Sequence, residues 1–172
     1  SSTILQPMRW FPLIAALLAV GLGLPDARAA SATSIRLILP VETVRAGESF
    51  VAGVVLESKT GWHTYWRNGG DSGAATSLDW QLPTGFTAGE IQWPAPERYE
   101  DSDLVTYVYH GTMTLLVPFT VAPGTSNGPV EIAATVKWLE CKDLCLPGKT
   151  EIRGNLTVGP ATQLSPQAAA IQ

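Results

Sequence analysis

The chain has 172 residues, with 11 Lys and Arg against 15 Asp and Glu and a formal net charge of −4 at neutral pH. No basic cluster occurs along it, which argues against nucleic acid and anionic membrane surfaces as partners. The length suits one domain, and a domain of this size buries an adequate core without covalent help.

The first 29 residues have the three parts of an export signal: Arg9 as a short positive flank, an apolar run from Phe11 to Leu24, and Ala27-Arg28-Ala29 as a small-x-small cleavage site. Met8 is the expected start of this leader. The apolar run falls short of the about 20 residues that span a bilayer. Residues 1–29 therefore read as a signal peptide, and the mature chain is expected to begin near Ala30. Removing the leader leaves 9 basic and 14 acidic residues, a net charge of −5. The mature domain is expected to be soluble, to make no direct membrane insertion, and to meet an oxidising environment.

Residues 30–158 read as β structure throughout, because apolar and polar positions alternate. Ile35, Leu37 and Leu39 share one face of a first strand that stops at Pro40. After the Arg45-Ala46-Gly47-Glu48 turn, Phe50, Ala52, Val54 and Leu56 share a face of the next. Met113, Leu115, Val117, Phe119 and Val121 give the clearest alternation, and Val130, Ile132, Ala134, Val136 and Trp138 form another strand. Thr150, Ile152, Leu156 and Val158 outline a last one. Turn formers separate these runs, among them Gly69-Gly70-Asp71, Pro83-Thr84-Gly85, Pro94-Ala95-Pro96 and Pro147-Gly148. Many short strands at this spacing predict an all-β, antiparallel, immunoglobulin-like β-sandwich. Residues 159–172 lose the pattern and read as a linker toward a longer parent protein.

The run from Gly61 to Asp71, which includes Trp62, His63, Tyr65 and Trp66, is dense in aromatic and polar groups. It serves either as a strand with core tryptophans or as an aromatic wall beside a reactive centre. Trp93, Tyr99, Tyr107 and Tyr109 belong to the same surface or pack the sandwich.

The chain's 2 cysteines, Cys141 and Cys145, are four positions apart. The strand ending at Trp138 and the one starting near Lys149 bracket them, which places both at or near a hairpin tip. Residues flanking a three-residue turn can reach the ~5.5 Å Cα separation of a disulfide. A bridge closing so short a loop removes only about 2 kcal/mol of unfolded-state entropy, against ~4.7 kcal/mol for a 100-residue loop. That small return favours a working disulfide over a structural one. Glu140 and Asp143 flank the pair with only Lys142 to offset them, and no helix start is near. The thiols are therefore expected to keep ordinary or raised pKa values and to exchange electrons only with a docked partner. Two readings stay open beside this one. One is a non-catalytic immunoglobulin-like binding module with a structural turn disulfide. The other is a copper-handling domain, for which Cys141, Cys145, His63, His110 and Met113 would supply soft ligands.

The run Gly61 to Gly73, the segment Ile91-Gln92-Trp93-Pro94-Ala95-Pro96, the step Tyr107-Val108-Tyr109-His110-Gly111 and the stretch Trp138 to Gly148 resemble the N-terminal periplasmic domain of the DsbD family of thiol:disulfide interchange proteins. The shorter cysteine spacing is that of the branch similar to ScsB. The resemblance covers about Ser34 to Val158. It implies an immunoglobulin-like domain with one redox cysteine pair and no cofactor, in the periplasm of a Gram-negative bacterium. It also implies two partners: a thioredoxin-like domain of the same or parent protein, fed by a membrane domain, and a periplasmic thioredoxin-fold client. By position, Cys145 corresponds to the cysteine attacked in the mixed disulfide and Cys141 to the one that completes the exchange. A protective loop falls near Arg98 to Leu104, with Tyr99 its aromatic, and His63 and Tyr65 fall where the family has aromatics beside the disulfide.

Overall fold

The structure is a computed structural model and describes residues 31–171. The expected signal peptide, 1–29, lies outside the described residues. In chain order the strands are β1 (Thr33–Ile38), β2 (Val41–Arg45), β3 (Ser49–Ser58), β4 (His63–Gly70), β5 (Ser77–Gln81), β6 (Phe86–Ala88), β7 (Glu97–Asp101), β8 (Leu104–His110), β9 (Thr112–Val121), β10 (Gly128–Cys141), β11 (Cys145–Gly159) and β12 (Gln163–Leu164). A 3-10 turn, Ala168–Ile171, follows.

Two sheets form an immunoglobulin-like sandwich. One has the order β1-β3-β9-β6; the other runs β12-β2-β11-β10-β4-β8-β7, with β5 also paired to β10. The strand pairs are antiparallel apart from β2 with β11. The alternation read from the sequence is the alternation of the core. Phe50, Ala52, Val54 and Leu56 of β3 and Met113, Leu115, Val117, Phe119 and Val121 of β9 are buried, and so are Ile132, Ala134, Val136 and Trp138 of β10. Each large apolar side chain so placed contributes about 1.5–3 kcal/mol by leaving water. Phe119 anchors the centre, stacked on Phe50 at 5.3 Å and met edge-on by Trp80 at 4.9 Å.

Two boundaries differ from the sequence reading. The last long strand begins at Cys145 rather than near Lys149, because β10 and β11 stay in register from Gly128↔Val158 out to Cys141↔Cys145. Residues 159–171 do not leave the domain as a linker would: β12 pairs with β2, the Ser165 hydroxyl donates to the Leu39 carbonyl at 2.6 Å, and Ala168 is buried. Alternation is too short to be visible in a two-residue strand.

The tip of the β10–β11 hairpin is braced from the inner face. Trp138 lies opposite Gly148, and a Cβ at that glycine would come within 2.1 Å of the indole ring. The absent side chain lets the ring lie across β11. Along β10's other edge, β5 pairs with Ala133–Lys137, and β4 reaches β10 further along, where His63 faces Cys141.

Candidate active site around the Cys141–Cys145 disulfide

Cys141 ends β10, Cys145 begins β11, and the two are bonded with their Cα atoms 4.1 Å apart. Lys142–Leu144 form the turn between them, closed by the Lys142 N–H donating to the Leu144 carbonyl at 3.1 Å. The hairpin position expected from the sequence is therefore where the pair sits. The two sulfurs meet different surroundings. Cys141 is 3 % exposed, whereas Cys145 is exposed beside Leu144, which is 58 % exposed.

Register carries the site across four strands. Cys145 faces Cys141, Cys141 faces His63 of β4, and His63 faces His110 of β8. Register partners share a face of the sheet, so these four side chains form one row on the face turned away from the sandwich core. Two residues along β4 on the same face, Tyr65 packs with Val108 and Cys141 in a small buried cluster of its own. Its hydroxyl donates to Cys141 Sγ at 3.0 Å and lies 3.9 Å from Cys145 Sγ. His63 Nε2 is 3.2 Å from the same oxygen.

The Tyr65 ring is seated by a glycine. Gly73 has φ +98°, and a Cβ there would stand 2.1 Å from the ring. The loop after β4 therefore folds back against Tyr65, with Ala75 bridging to the Tyr65 backbone. Burial, with Tyr99 second, raises the Tyr65 pKa above its ordinary value, so the hydroxyl keeps its proton. Burial, with His110 second, lowers that of His63 below 6.5.

The segment expected to shield the pair is the β7–β8 hairpin. Tyr99 packs its ring on His63 at 5.5 Å and on His110 at 5.8 Å while remaining 40 % exposed. Glu97 lies 3.1 Å from His110 Nδ1. The structure thus brings Tyr65 and His63 beside Cys141, with Tyr99 packed on His63. Trp62 immediately precedes β4 in a turn where its N–H donates to the Lys59 carbonyl at 2.9 Å. The remaining aromatics serve the sandwich. Tyr109 is buried with its hydroxyl donating to the Pro94 carbonyl at 2.7 Å, Trp93 packs against the core, and Tyr107 meets Trp66.

Sequence proximity misplaced one charge. Glu140, read as flanking the cysteines, follows β10's alternation inward and is 2 % exposed. Burial alone would raise its pKa, but it is outweighed by hydrogen bonds from the Trp138 indole at 3.0 Å, the Ala32 amide at 2.8 Å and the Ser31 hydroxyl, and the carboxyl sits below its ordinary value. The signal was available: Glu140 shares the parity of Val136 and Trp138, and an acid on a core-facing phase requires donors. The copper reading loses one of its five ligands. Met113 belongs to the core between the sheets, and among the described residues no group of three or more His, Cys, Asp or Glu is arranged to hold a metal.

The family model described as "Thiol:disulfide interchange protein DsbD, N-terminal" matches residues 36–157. The chain belongs to the DsbD N-terminal domain family. Solved structures with a similar fold include the N-terminal periplasmic domain of ScsB from Proteus mirabilis, at 14 % identity and TM-score 0.53 over 81 % of this chain and 49 % of that one. This chain spans about half of that ScsB domain. The reduced DsbD N-terminal domain of Neisseria meningitidis is 16 % identical with TM-score 0.43, covering 74 % of this chain and 89 % of that one. The Neisseria complex between the DsbD N-terminal and PilB N-terminal domains gives 17 % identity and TM-score 0.42, covering 80 % and 92 %. No curated protein sequence matches the chain. Membership of the DsbD N-terminal family, together with the Cys141–Cys145 disulfide, assigns thiol–disulfide exchange as the general chemistry of the domain.

Proposed function

We propose that this domain is the periplasmic carrier in a protein-disulfide reductase. It accepts reducing equivalents from a thioredoxin-like domain of the same or a parent protein and passes them to thioredoxin-fold clients through Cys141 and Cys145. The observation that carries the reading is the asymmetry of the pair: one cysteine exposed at a hairpin tip, the other buried under a hydroxyl donor.

A partner thiolate attacks Cys145 Sγ, and the electron pair of the Sγ–Sγ bond passes to Cys141, which leaves as a thiolate. The Tyr65 O–H already points at that sulfur. A hydrogen bond to a charged acceptor is roughly twice as strong as one to a neutral acceptor, so the bond tightens as charge develops and lowers the barrier rather than merely binding the ground state. A second partner thiolate then attacks the partner sulfur of the mixed disulfide and releases Cys145. The reverse sequence, begun by a reduced cysteine on an oxidised client, returns both electrons. A thioredoxin-like donor and a membrane domain complete the cycle. The alternative of a structural staple gains little support from so short a loop, which is worth about 2 kcal/mol at most.

Incubating the Cys141→Ala variant with oxidised thioredoxin-fold domains tests this reading. The expected product is a covalent one-to-one complex through Cys145, absent from Cys145→Ala. A folded Cys141→Ala protein whose Cys145 thiol forms no mixed disulfide with any such domain would overturn the carrier reading.

A further inference from the structure

Tyr65 has one hydroxyl proton and three neighbours for it: His63 Nε2, Cys141 Sγ and, at 3.9 Å, Cys145 Sγ. A disulfide sulfur only accepts, and Cys141 Sγ lies 3.0 Å from the hydroxyl oxygen, whereas His63 Nε2, 3.2 Å away, donates to that oxygen or accepts from it according to its tautomer. As the Nε2–H tautomer the neutral imidazole donates to the Tyr65 oxygen and leaves the tyrosine proton for Cys141. With the other tautomer, Nε2 would take the tyrosine proton for itself and the leaving sulfur would face bare oxygen lone pairs.

We propose that His63 is a positioning residue for exchange at this disulfide: its Nε2–H holds the Tyr65 proton on Cys141 and so makes Cys141 a better leaving sulfur. The proposal rests on the exchange reading above, but its test uses a small thiol and needs no protein partner. In that reaction a dithiothreitol thiolate attacks Cys145 Sγ, and the bonding pair moves to Cys141. The second dithiothreitol thiolate then displaces Cys145 from the mixed disulfide. Dithiothreitol becomes the cyclic disulfide, both cysteines become thiolates, and Tyr65 and His63 keep their protons throughout.

The groups that face His63 from the packed elements are Tyr65 on its own strand, Cys141 of β10, His110 of β8 at 5.3 Å between rings and Tyr99 of β7 at 5.5 Å. Glu97 reaches it only through His110. Protonating His63 fills Nδ1, leaves the Nε2–H donor in place and adds a positive charge behind Tyr65. The donor chain therefore operates in both protonation states and is strengthened in acid.

The rate of disulfide reduction by dithiothreitol, expressed per attacking thiolate from about pH 5 to pH 8, reads this out in wild type, Tyr65→Phe, His63→Leu and His63→Gln. Gln places an N–H donor where His63 has Nε2–H. We expect His63→Leu and Tyr65→Phe each to slow reduction by about tenfold and the double variant to be no slower, since both remove one chain of bonds. His63→Gln should recover to within about threefold of wild type, and the rise in per-thiolate rate toward acid should be present in wild type and absent from His63→Gln. Wild-type rates in a folded His63→Leu protein, or losses that multiply in the double variant, would overturn the proposal. Should His63→Leu not fold, the acid rise in wild type against His63→Gln decides it: the same rise in both overturns it. A domain that obeys these kinetics yet reduces no thioredoxin-fold partner would sink the carrier reading alone.

Discussion

Cys141 and His63 are register partners, paired where β4 reaches the end of β10. Because β5 takes the body of that edge, the aromatic residues of β4 meet β10 at its cysteine and not along its length. This seam places a hydroxyl and an imidazole beside the buried cysteine of the pair, while the other cysteine is exposed.

Tyr99 keeps His63 out of water, and burial is the first cause of that histidine's lowered pKa. Tyr99→Ala is expected to raise the His63 pKa back toward 6.5, read by NMR titration of the imidazole. The sign follows from desolvation, which disfavours the charged form of a histidine. Since Tyr99 is 40 % exposed, the change should cost little stability.

Gly73 gives way to the Tyr65 ring, and no side chain fits there at φ +98°. Gly73→Ala should displace the ring and cost about 1–3 kcal/mol through overpacking. Denaturant unfolding measures the cost. Reduction of the disulfide by a small thiol should slow as well, because the hydroxyl leaves Cys141.

Glu140 ties the start of β1 to the site strand through Ala32 and Ser31 and holds the Trp138 indole over Gly148. Glu140→Ala should cost about 3 kcal/mol, since the donors lose a charged acceptor in a buried place. The folded carboxyl lies below its ordinary value of 4.5. Its contribution is therefore complete above that value and disappears as pH falls through the folded pKa. Acid unfolding curves should show this loss in wild type, and Glu140→Gln should flatten it.

Reducing the disulfide opens a five-residue loop, so unfolding free energies of the oxidised and reduced forms should differ by about 2 kcal/mol or less. A far larger gap, measured in denaturant, would make the bridge a structural staple.

Much of this was legible beforehand. Period-2 alternation in β3, β9 and β10 names the core face, because a one-residue slip would invert every side chain, and two cysteines between paired strands define a tip. Alternation does not say which strand lies beside which. Nothing local announces that β4 touches β10 at Cys141, that Gly73 returns to Tyr65, or that Tyr99 packs on His63. Glu140 was a different failure: its neighbours in sequence drew attention away from its parity in the strand.

The Lys142–Leu144 turn is closed by its own backbone hydrogen bond, and the hairpin behind it is braced by an indole lying across a glycine. Opening the sulfur bridge is therefore expected to leave the contour of this end of the molecule almost unchanged. On the proposed carrier function, a visiting protein would meet the same shape in both redox states, and relative potentials rather than a conformational signal would set the direction of electron flow.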